Sequence, residues 1–463
     1  MASSLQATSG SFTLGDAYSH LSQFHENEGL VAWWQRTFAT ELTWFFSRRR
    51  NLLVIGSVAA AIASPWYELS RAKFSIAIDG YEKSIAIALL FALVWLSFRA
   101  AAGFERLPGT IRRHPQVAMH CVLWLTLIGA WLAPDERTRA VFACVVLLIP
   151  IVIWRCGYMM LSAKRGKMNS KRFRDHIVYL FPVWHGSNTP YGKGLDYLSR
   201  HEAKSEKDLV RSQLAGIKLL ILALAWGVLL KLMDTFVFAP ETPGAATLDL
   251  SLSIPRVESL ISHRASVALP VAWCSLYCEL IWQVLRHAAN GHIIIGILRL
   301  LGFNVFRNTY KPLYAQSLIV FWNRYFFYFK ELLAEFFFFP VFSKAFKSRI
   351  WLRLFAALFA SAFLGNLYYH ILKDERLLLA GDLGGVRDAF GCRAFYCLLL
   401  ACGLFVSMVR EQRRAGQHQG FSLPRKIVRI AGVWTFFAMI YIWHGRGHFW
   451  DRTQFFLSLF AIV

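Results

Sequence analysis

His370 is the residue whose type and setting first invite chemistry. It sits in FLGNLYYHIL, toward the far end of an otherwise apolar run, with Asn366 one helical turn before it. A neutral imidazole can take a proton from a hydroxyl and return one to a leaving group. The same setting suits a buried structural histidine, and periodicity alone weighs the two equally. Residues 321–340, FWNRYFFYFKELLAEFFFFP, hold a second concentration of polar groups. Placed on one helix at about 100° per residue, Asn323, Arg324, Tyr328, Lys330, Glu331 and Glu335 share an arc of about 160°. The opposite arc carries only apolar and aromatic side chains. Such a wedge on a membrane helix must face protein or a water-filled cavity, unless the helix lies at the interface with its wedge toward headgroups. His444 and His448, in IWHGRGHFW beside Arg446 and Asp451, suit an interfacial position. Glu279, deep in an apolar segment, needs a partner or a function. No metal is expected: His176, His185 and His201 are irregularly spaced, and Cys274 and Cys278, one turn apart, lack neighbouring ligands.

The elements that position these residues must be membrane helices. Of 463 residues 56% are hydrophobic and 17% charged, and apolar runs recur along the whole chain, as in an all-α, polytopic helical membrane protein. The net charge of +23 falls largely in short loops between those runs. It is assigned to topology and to acidic lipid headgroups rather than to nucleic acid. The eight cysteines lie mostly in apolar segments and imply no disulfide framework.

In order, residues 1–17 form a polar tail and 30–46 an interfacial helix, so that 1–50 precedes the membrane-embedded part, 51–463. No convincing cleavable signal peptide opens the chain. Strongly basic loops (Arg48 to Arg50, Arg106 to Arg113, Lys164 to Arg174, Arg410 to Arg429) fall on every second connection, which puts the N-terminus inside and residues 239–264 outside. About ten or eleven membrane helices are expected, with re-entrant or tilted segments. Residues 291–303 are too short to span comfortably, and RNTYKP (307–312) breaks the pattern, which calls for a protein-buried arrangement.

Residues 301–340 resemble the signature region of membrane-bound O-acyltransferases (the MBOAT family), above all the bacterial branch that acylates polysaccharides and cell-wall polymers. Gly302, Phe303, Asn308, Tyr310, Pro312, Phe321, Trp322, Arg324, Tyr325 and Pro340 follow the order of that region. His370 resembles the family's membrane-embedded catalytic histidine in its distance beyond the motif, and Glu335 matches an acidic residue of the aromatic run. The likeness covers part of the second half, and the first half only in its helix pattern. Two departures mark a divergent member. Phe326 stands where many relatives have histidine, and His370 is flanked by Tyr369 and Ile371 rather than set in Trp-His-Gly. A literal Trp-His-Gly, Trp443 to Gly445, lies too far beyond Arg324 and makes His444 the rival.

The resemblance implies an acyltransferase in a bacterial cytoplasmic (inner) membrane, acting through 51–463. It would move an acyl group, expected to be acetyl, from acyl-CoA, a donor substrate rather than a bound cofactor, to a hydroxyl of a surface polysaccharide or a periplasmic partner protein. His370 would be the base, Asn366 or Asn323 a donor to the oxyanion, and Arg324, Lys330, Glu331 and Glu335 would line the chamber with them. The alternative is a non-catalytic membrane scaffold, or a transporter, of a polysaccharide export system.

Overall fold

A computed structural model describes residues 23–72, 76–168, 172–180, 193–239, 251–263, 267–414 and 422–462. The tail at 1–17, His185 and parts of the 239–264 and 410–429 loops lie outside the described residues. Described secondary structure is helical, with two isolated bridges and no named strand.

The protein is an all-α polytopic membrane protein. The principal helices are α1 (Glu28–Thr37), α2 (Ala39–Arg71), α3 (Gly80–Ala102), α4 (Pro115–Leu132), α5 (Glu136–Lys164), α6 (Glu206–Leu232), α7 (Leu269–Leu300), α8 (Leu318–Tyr325), α9 (Phe327–Leu333), α10 (Ile350–Ile371), α11 (Leu383–Arg414), α12 (Leu423–Tyr441) and α13 (Phe449–Ser458). By length and composition six described helices can cross a membrane: α2, α3, α4, α6 (continued to Val237), α10 and α11. Counting α5, bent by 57° at Pro150, makes seven. Proline removes one backbone donor and crowds the preceding turn, which is why the bend falls there.

Three sequence boundaries differ. The expected interfacial helix and first span run together, because α2 continues from Ala39 through the arginine triplet. Arg49 makes that continuity tolerable, since it is buried and ion-paired to Glu202 at 2.6 Å. The short piece at 291–303 is not re-entrant but mostly the end of α7. The third is the aromatic stretch 321–340, which is not one helix.

That stretch breaks at Phe326, between α8 and α9, and is π-helical from Ala334 to Phe338. The polar residues 308–310 take up the freed backbone groups. Phe327 N–H donates to the Asn308 carbonyl (2.9 Å) and Tyr328 N–H to Asn308 Oδ1 (3.1 Å). Thr309 Oγ1 donates to the Tyr325 carbonyl (2.9 Å), and Tyr310 N–H to that of Arg324 (2.8 Å). Irregular backbone inside a membrane protein survives only with such internal partners, and Asn308 and Thr309 are buried.

Helix α6 lies along α7 at close range, because a Cβ added at Gly216 would come within 2.7 Å of the Gly296 carbonyl. Small residues let membrane helices approach in this way. Helix α5 is flanked by α3 and α4, and α11 packs on the π-helical turn Phe359–Gly365 inside α10. Gly365 admits the Phe337 ring, which an added Cβ would meet at 2.6 Å. The aromatic stretch and the helix carrying His370 are thereby locked together.

Candidate active site

His370 lies in the last turn of α10, just past the π-helical segment. Its ring is edge-on to Phe329 of α9 (centroids 6.3 Å apart) and to Tyr369 (5.6 Å). Arg393, near the start of α11, donates from Nη1 to His370 Nδ1 at 3.0 Å and from Nη2 to the His444 main-chain carbonyl at 2.5 Å. A guanidinium has no acceptor, so Nδ1 accepts and a neutral His370 carries its proton on Nε2. The two histidines that compete in the sequence therefore stand on either side of one arginine. His444 contributes its backbone there, while its ring stacks on Tyr441 (5.1 Å, 12°) and meets Tyr396 edge-on.

His287 of α7 lies edge-on to Phe326 at 4.6 Å and to Tyr325 at 5.4 Å. Asn366 is buried at 1% exposure, and its Oδ1 has no hydrogen-bond partner. An unsatisfied buried acceptor one turn from an imidazole is a polar group held ready for a ligand or a water.

The charged wedge divides. Glu331 is bonded to Lys193 (2.5 Å) and Lys330 (2.6 Å), and Glu335 to Arg165. Arg324 forms neither of these pairs, and Asn323 is exposed on α8. The wedge thus meets the basic connections that follow α5 and precede α6, rather than His370 directly. Phe329 joins the two, sharing α9 with Glu331 and touching the His370 ring. Glu279 is a structural ion pair, with Arg256 at 3.2 Å, and Arg256 also holds Asp234 at 2.5 Å. His176 packs on Phe98 and His201 bonds the Tyr197 carbonyl, so those two histidines share no site.

Sequence reasoning passed over Arg393, His287, Lys193 and Arg165. Arg393 carried a usable signal, because an arginine at the edge of an apolar span needs a partner. Arg165 reads in the sequence only as one charge of the basic loop Lys164 to Arg174. Compared with known proteins, the chain matches no family model and no curated protein.

Proposed function

We propose that the protein is a membrane-bound O-acyltransferase of a bacterial inner membrane, with His370 and Arg393 at its reaction centre. The observation that carries this reading is the His370–Arg393–His444 arrangement, enclosed by Phe329, Tyr369, Tyr396 and Tyr441. An acceptor hydroxyl approaching His370 donates its proton to Nδ1 as Arg393 releases that nitrogen. The hydroxyl oxygen bonds to the thioester carbonyl carbon, and the oxyanion so formed accepts the freed Arg393 N–H, with Asn366 beside it. Collapse breaks the carbon–sulfur bond. The imidazolium returns the proton from Nδ1 to the departing thiolate. The same nitrogen takes up and gives back the proton, so the histidine ends neutral, in the Nε2–H tautomer that Arg393 holds.

Two further features support the reading. Asn308, one of the residues that carry the resemblance, satisfies the break beside Arg324 and Tyr325. The path of 316–335 also supports a donor arriving from inside. The Gln316 carbonyl accepts from Arg429 (3.1 Å), in the second turn of α12, and Glu335 meets Arg165, both at helix ends that charge alternation puts inside. Acyl-CoA is the donor, its phosphates drawn by the basic inner connections, and a hydroxyl of a surface polymer or a periplasmic partner protein is the acceptor.

The test is purified protein with labelled acetyl-CoA and a polysaccharide acceptor. Label should move to the acceptor, and far less should move with His370→Ala. Failure of the unmodified protein to acylate any hydroxyl acceptor would favour the scaffold or transporter.

A further inference from the structure

A cavity of about 480 Å³ opens between the C-terminal end of α2, the bend of α5 and the end of α10. Its wall is apolar, formed by Leu147, Pro150, Trp154, Leu332 and Leu372. Its polar lining is unbalanced, with Arg71, Arg155, Lys373 and Arg376 against Glu68 and Glu375. Tyr369 also lines it. That side chain is 4% exposed, and its hydroxyl has no hydrogen-bond partner. The Lys373 ammonium stands 4.5 Å over the Tyr369 ring. A buried hydroxyl left unmatched is costly unless a ligand or water completes it. The volume lies in the range of about 300–1,000 Å³ usual for small-molecule sites.

We propose that this cavity binds an anionic amphiphile, one whose phosphate headgroup carries net negative charge. Its phosphate lies among Lys373, Arg376 and Arg71 and accepts from the Tyr369 hydroxyl, and its hydrocarbon runs along Leu147, Trp154 and Leu332. Apolar wall and cationic rim meet in one cavity, and neither a free anion nor a neutral lipid satisfies both. The bend at Pro150 opens the room for the chain, since a straight α5 would continue Trp154 and Arg155 along the axis of its first half. Tyr369 borders the His370 centre as well, but the readout is lipid binding rather than group transfer, so the proposal stands or falls separately from the reaction proposed for His370.

The experiment uses the full chain purified in an uncharged detergent. It is titrated with phosphatidic acid or with phosphatidylcholine of the same acyl chains, and bound lipid is read by native mass spectrometry. Phosphatidic acid should bind about tenfold more tightly than phosphatidylcholine. Lys373 and Arg376 are both exposed, so the double variant Lys373→Gln, Arg376→Gln should fold normally and lose most of that preference. Tyr369→Phe removes only the unpaired hydroxyl and should weaken phosphatidic acid several-fold while leaving phosphatidylcholine unchanged. Equal binding of the two lipids, or an unchanged preference in the double variant, would overturn the proposal. Displacement of the lipid by millimolar inorganic phosphate would overturn it too, by showing that the anion alone is the ligand.

Discussion

At the scale of single residues, the two histidines should separate cleanly. His370→Ala removes the imidazole that takes up and returns the proton, so acetyl transfer should fall by about a hundred- to ten-thousand-fold. The variant's chromatographic profile should match that of the unmodified protein. His444→Ala leaves the carbonyl that Arg393 uses, so transfer should stay within a few-fold of normal. The reverse result would give the role to His444. Arg393→Leu takes the donor from His370 Nδ1 and from that carbonyl together. If Arg393 stabilises the oxyanion, its loss should lower kcat more than it raises the KM for acetyl-CoA. A change confined to KM would reduce it to a binding residue.

At the scale of elements, the break in the aromatic stretch and its ion pairs carry the next expectations. Glu331 is held by two ammonium groups with side-chain exposures of 15% and 24%, whereas the Arg165 partner of Glu335 is 47% exposed. Glu331→Leu should therefore cost more than Glu335→Leu, about 1–3 kcal/mol after allowance for partial exposure. It should appear as a lower thermal midpoint, and Lys193→Met should restore part of it. Equal midpoints for both carboxylate variants and the unmodified protein would show that these charges are solvated. The α6–α7 contact gives a second element-scale expectation. Gly216→Leu places a side chain against the Gly296 carbonyl and should destabilise by at least the ~1–3 kcal/mol of an overpacked core. Gly227→Leu on the same helix, where an added Cβ meets nothing, should be neutral in the same melt.

For the whole molecule, the ion pairs and hydrogen bonds sort the helix ends into two consistent sets. Arg49–Glu202, Arg165–Glu335 and Arg429–Glu411 join ends that basic-loop alternation assigns inside. Arg137–Glu82, Arg256–Asp234 and Arg446–Asp374 join ends it assigns outside. Local charge and long-range packing thus agree on which helix ends share a side. Cysteines introduced at Leu252 and Arg413, both exposed, should label from outside and from inside respectively with a membrane-impermeant reagent. Labelling of Arg413→Cys from outside in intact cells would invert the topology.

The all-α membrane class was legible in composition and in the recurrence of apolar runs, because hydrocarbon admits few solutions to backbone hydrogen bonding. The sorting of helix ends into two sets followed from charge for a similar reason, since each basic loop acts locally. His370 and Asn366 stood out because polar groups in apolar segments are costly and therefore few. Helix limits were less legible. Nothing near Phe326 announces a break, because the groups that stabilise it belong to Asn308 and Thr309, earlier in the chain. A single helical wheel over 321–340 therefore placed Arg324 and Glu335 on one continuous face that does not exist. Arg393 beside His370, and His444 beyond it, come together only when α11 packs on the π-helical turn of α10. Periodicity describes one helix at a time, and the pairing of side chains across helices was decided by tertiary packing.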